Sequence, residues 1–128
     1  MKYLILIYSN PQSREIWDSM PDEQKAEGYR YYAGLDAELS ESREMIVSEA
    51  LASPQESFVV TAREGQEPVV TDGPFAETKE HLAGFFLVDC HSPKRAIEIA
   101  KRIPEAAFGL VEVRPVLDLG AVLEREPA

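Results

Sequence analysis

Asp72-Gly73-Pro74-Phe75-Ala76-Glu77-Thr78-Lys79-Glu80 runs through His81 into the apolar stretch Leu82-Ala83-Gly84-Phe85-Phe86-Leu87-Val88. Gly73 admits backbone angles that other residues resist and Pro74 fixes the next φ, so the first half is a stiff turn. The second half is too short for a membrane span and rich in aromatic and branched residues, which makes 83–88 a core strand. Charged and hydroxyl groups thus stand at the entrance to a buried strand, and the elements on either side can be read from it.

Downstream, Ser92-Pro93 caps and starts a helix, with Ala96, Ile99, Ala100 and Ile103 on its buried face and Pro104 at its end. Residues 110–116 alternate apolar with charged and form the last strand. Upstream, Pro68-Val69-Val70-Thr71 is a short strand returning from 57–63 through the turn Glu64-Gly65-Gln66-Glu67, a hairpin whose Pro68 favours an edge. Residues 44–50 are extended. Before them a long amphipathic helix starts at Pro21-Asp22-Glu23 and reaches about Ser42, with Gly28, Tyr32, Leu35 and Leu39 at helical spacing. Gly28 costs ~1 kcal/mol there relative to alanine, which a close packing contact would offset; the alternative is an irregular helix. Residues 2–8 form a first strand that Asn10-Pro11 closes, and a helical turn is expected near Ile16-Trp17.

The order is β-α-β-β-α-β with an extra hairpin, the α+β ferredoxin-like plan: an antiparallel sheet with both helices on one face. Successive strand residues point to opposite faces, so Leu4, Leu6 and Tyr8 cannot share a side with Ile5 and Ile7. A second apolar face is left for a symmetric partner, and a homodimer packed sheet to sheet is expected.

The 128 residues fit one domain, with 117–128 as a C-terminal extension. Thirteen basic against 23 acidic residues give a net charge of −10, which repels nucleic-acid phosphates and anionic membrane. The single Cys90 forms no internal disulfide. Cys90 and His91 beside Asp89 point in different directions on a strand end, so no metal site is expected. No cofactor is expected either, since no phosphate-cradling glycine loop is present. The apolar start at 2–8 is too short for a secretion signal, and nothing approaches the roughly 20 apolar residues of a membrane span. A cytoplasmic protein is the expectation.

The start MKYLILIY at 1–8, the block DGPFAETKEHLAGFFLVD at 72–89, the helix AIEIAKRIP at 96–104 and VEVRPV at 111–116 resemble the DGPF branch of the YCII-related domain family. The resemblance implies a ferredoxin-like fold, a dimeric α+β barrel and no assigned biochemical function. Some relatives occur beside or fused to extracytoplasmic-function sigma factors, so a transcription regulator is an implied partner. In the wider family a histidine and an aspartate have been proposed as a catalytic pair. Here Asp72 matches the motif, but the first helix carries Tyr29, Tyr31 and Tyr32 in place of a histidine.

The candidate residues each have two uses. Asp72 on its rigid turn is either a carboxylate bonded to its own backbone or, if desolvated, an acid–base group. Tyr32 or His81 would assist it; otherwise they are a packing tyrosine and a capping histidine. Phe75 is expected to plug the turn into the core, or else to contact a ligand. Glu77, Lys79 and Glu80 are solvated charges, or Lys79 binds an anionic group with Glu77 beside it. Arg114 pairs with an acid or receives a ligand carboxylate. Two functions follow: a dimeric module binding an unidentified small molecule or assisting a regulator, and a cofactor-independent isomerase or lyase moving a proton with Asp72.

Overall fold

A computed structural model describes residues 1–125. Strand β1 spans Lys2–Ser9 and is followed by helix α1, Pro11–Asp18, and the long helix α2, Asp22–Glu41. Asn10 closes β1 by capping α1: its Oδ1 accepts from the Ser13 N–H at 2.8 Å, and the Ser13 hydroxyl accepts the Asn10 N–H in return. Strand β2 is Met45–Ala50, and a 3-10 turn at Pro54–Glu56 separates it from the hairpin β3, Phe58–Thr61, and β4, Val69–Asp72. Strand β5, His81–Asp89, leads to α3, Pro93–Ala100, where the Ser92 hydroxyl accepts from the Arg95 N–H. A 3-10 segment at Pro104–Phe108, strand β6 at Val111–Pro115 and a short helix α4 at Leu119–Glu124 complete the described chain. The expected element order therefore holds. Helix α3 closes at Ala100, three residues before the predicted stop, because the turn through Ile103 tightens ahead of Pro104.

The main sheet has the order β2-β5-β1-β6 with every pair antiparallel, the ferredoxin-like arrangement. β1 runs along β5 from Lys2 opposite Asp89 to Ser9 opposite His81, with a bulge between Ile7 and Tyr8. Helices α2 and α3 cover one face. Tyr3, Ile5 and Ile7 of β1, Phe86 and Val88 of β5, Leu35 and Leu39 of α2, and Ala96, Ile99 and Ala100 of α3 form one buried cluster. Each fully buried leucine or isoleucine there contributes about 1.5–3 kcal/mol. The close contact at Gly28 exists: an added Cβ would lie 3.2 Å from the Trp17 ring, which also meets Tyr29 edge to face. Helix α1 is pinned to α2 through that spot.

The hairpin departs from the expectation of an added edge strand. β3 and β4 pair only with each other, as a separate two-stranded sheet. Ser53-Pro54 starts the 3-10 turn that ends β2's direction, and Pro54 can supply no ladder donor. Phe58, Val60 and Val70 share one face of this arm with Asp72 and stand 69%, 64% and 61% exposed for the three apolar residues. Phe75 departs from its expected place as well. It is 68% exposed and plugs nothing; Gly73 and Pro74 are the half-buried residues of the turn. Gly73 sits at φ 92 and its N–H bonds to the Ser57 carbonyl at 2.7 Å, which locks the turn to the base of β3 and directs Phe75 outward.

Among the described residues, no helix is long and apolar enough to cross a membrane.

Candidate functional site

His81 opens β5 between two depressions. On one side a cavity of about 430 Å³ lies between the β2–β3 connection and the Asp-Gly-Pro turn, open to solvent. Leu51, Pro54, Phe58, Pro74, Phe75 and Leu82 give it apolar walls, and Glu56 and His81 are its titratable side chains. On the other side a cavity of about 250 Å³ is lined by Tyr8, Glu80, Gly109, Leu110, Val111 and Glu112. The turn that begins at Asp72 thus borders both: Phe75 faces the first cavity and Glu80 the second.

The expected residues divide between these places. Phe75 and His81 meet in the larger groove. Asp72 is exposed at the end of β4, directly across the ladder from Phe58, and lines neither cavity. Glu77 and Lys79 are exposed on the loop between turn and strand. Tyr32 lies elsewhere. Its ring packs edge to face on Phe86, and its hydroxyl donates to both carboxylate oxygens of Glu105 at 2.6 Å. Burial, reinforced by that carboxylate, pushes the phenol well above its usual range, so it stays protonated. Phe86 is five residues along β5 from His81, about 16 Å at strand rise. Tyr32 is therefore not brought to His81.

Arg114 takes the first of its two expected roles. Its guanidinium donates to Glu112 Oε2 at 2.6 Å while the Tyr8 hydroxyl donates to Glu112 Oε1 at 2.9 Å. The Arg114 hydrogen bond, with the tyrosine bond second, holds the Glu112 carboxyl below its ordinary value, and the tyrosine bond raises the Tyr8 phenol. This network borders the smaller cavity with its carboxylate already satisfied on both oxygens.

Sequence reasoning did not reach Leu51, Glu56 and Phe58 of the larger groove. The signal for Phe58 was present, since Phe58, Val60 and Val70 fall on one face once the hairpin register is drawn. Nothing in the pattern said that the face stays free.

The YCII-related domain model matches residues 1–120. An uncharacterised protein of Rhizobium meliloti (strain 1021) is 32% identical over 124 residues, covering 91% of this chain and 92% of that relative. The matched residues 1–120 take in the sheet, both covering helices and the turn that borders the two cavities, and the chain belongs to the YCII-related domain family.

Proposed function

We propose that this YCII-related domain is a small-molecule-binding module whose site is the groove at the start of β5. The observation that carries the reading is the meeting of Phe75 and His81, two residues of the 72–89 block, in one cavity of about 430 Å³ with apolar walls. A volume of that size suits a small metabolite. The proton-transfer alternative needs Asp72 beside Tyr32 or His81, whereas Tyr32 is committed to Glu105 and Asp72 is exposed on the arm, outside the groove that His81 lines. A transcription regulator as partner rests on the family likeness alone.

Thermal shift against a panel of small acids, amines and neutral metabolites tests the site, because a ligand that binds only the folded chain raises the melting temperature with concentration. The shift is expected to vanish in Phe75→Ala and to persist in Tyr32→Phe. The opposite pattern would move the site to the Tyr32–Glu105 region.

The module acts as a homodimer in this reading. Leu4, Leu6, Phe85 and Leu87 point away from the helices, since their neighbours Ile5, Phe86 and Val88 are in the core. Their own strands cover part of them: Leu6 is buried, the other three are half-buried, and Val47 on β2 is exposed. A two-fold partner laid on this face would remove the rest from water. Light scattering is expected to give twice the chain mass of 14.3 kDa, and Leu4→Glu is expected to halve it. A wild-type monomer at micromolar concentration removes the dimer and leaves the groove untouched.

A further inference from the structure

We propose that the groove beside His81 takes an organic cation, a small apolar body carrying an alkylated ammonium or amine group; this rests on the groove being the binding site. Two features point to that occupant. The first is aromatic. Phe58 and Phe75 both line the groove and both stay more than two-thirds exposed, at 69% and 68%. Their rings are offered to solvent at the rim and not spent on the core. The face of a phenyl ring is the negative end of its quadrupole and attracts a cation within about 6 Å.

The second feature is charge. Glu56 lines the groove, Asp72 stands across the ladder from Phe58 on the same face, and Glu77 follows Phe75 in the same loop. Against these, Lys79 is the one basic residue of that loop, and Arg114, the other candidate for an anion, is already paired with Glu112. The whole chain carries −10. An anionic ligand would approach this groove against the field of Glu56 and of the chain. A neutral apolar ligand would gain the phenyl rings and nothing from the carboxylates. A cation with an apolar body uses both, and an alkylated ammonium is weakly hydrated enough to leave water for a ring face.

The test uses choline and its uncharged isostere, in which a tert-butyl group replaces the trimethylammonium. Binding to the full chain is followed through the aromatic proton shifts of Phe58 and Phe75 at fixed ionic strength. Choline is expected to bind at least about fivefold more tightly than the isostere. Glu56→Gln is expected to remove most of that preference while leaving the isostere unchanged. Phe75→Ala, at an exposed position where folding is not at stake, should weaken both ligands. Equal binding of the two, or a preference for the isostere, overturns the cation and leaves the groove as a site. Binding indifferent to Phe75→Ala overturns the groove itself; the absence of any shift at either ring with either ligand overturns the cation and leaves the groove to the ligand panel.

Discussion

Replacing Gly84 with alanine is expected to lower the melting temperature by about 10 °C, the largest effect of any single methyl in the sheet. A Cβ at Gly84 would lie 2.8 Å from the Glu49 carbonyl oxygen and 3.4 Å from the Ala50 Cα. Both are backbone atoms of the paired strand β2, so no side chain can rotate away. The strands must separate instead. Overpacking of this kind costs about 1–3 kcal/mol and sometimes more, and a chain of this size loses roughly 3–5 °C per kcal/mol. The position is tight for a reason: Ala50 pairs with Gly84, and the next residue, Leu51, donates its N–H to the Ala83 carbonyl at 2.7 Å before entering the groove wall. Gly84→Ala is thus expected to loosen Leu51 as well as the sheet. The control is Gly34→Ala on the exposed side of α2, where an added Cβ meets nothing within 4 Å. That change should hold stability or raise it by up to ~1 kcal/mol. Thermal melts of the two variants side by side decide the matter; equal melting temperatures would show that β2 yields without cost.

Gly84 also shows how far the sequence could be read. The run 83–88 announced a core strand because apolar residues at every position leave no water-facing side, and the helices declared themselves through spacing and caps such as Ser92-Pro93. Local rules of that sort fix which elements form and, with the hydrophobic pattern, which faces pack. They do not fix how closely two strands approach at one residue. Phe75 marks the same boundary from the other side. A phenylalanine after a rigid Gly-Pro turn was expected in the core, because apolar residues gain most by burial. The expectation assumed that the turn faces the main sheet. The hairpin instead stands apart, Gly73 is bonded to Ser57 at its base, and the ring is directed outward. The groove follows from that detachment, so half of its lining was out of reach of any pattern in the chain. His81 and Phe75 were legible as candidates because they sit in the turn; Glu56 and Phe58 were not, because only the folded arm brings them there.

Breaking the Glu44–Arg95 pair is expected to cost about 3 kcal/mol at neutral pH and far less in acid. The two residues are 51 apart in the chain, and no periodicity links them. Arg95 in the first turn of α3 grips the carboxylate that precedes β2 through two parallel bonds, Nε to Oε2 at 2.7 Å and Nη2 to Oε1 at 2.8 Å. The pair ties a covering helix to the edge strand. The Ser42 hydroxyl donates to the same carboxylate at 2.8 Å, and the Glu44 side chain is only 15% exposed. The Arg95 bonds are the main cause that holds the Glu44 carboxyl at about 2, down from 4.5, against the opposing effect of burial. A carboxyl depressed in the folded state stabilises the fold above its unfolded value, and the contribution disappears as pH falls from 4.5 toward 2. A depression from 4.5 to about 2 corresponds to at most about 3.5 kcal/mol, at about 1.4 kcal/mol for each tenfold change in the protonation equilibrium. Arg95→Met leaves the largely enclosed carboxylate without its cation but still bonded to Ser42, so its deficit at pH 7 should stay below that ceiling, at about 3 kcal/mol. Near pH 2 the wild-type carboxyl is itself being protonated, and the two proteins should converge. Glu112, whose partners are Arg114 and Tyr8, titrates in both and cancels in the difference. Urea unfolding of wild type and Arg95→Met at pH 7 and at pH 2.5, near the lower end of that window, reads the convergence directly. A deficit that stays constant across it would mean that Arg95 stabilises the fold through the packing of its stem and not through its charge.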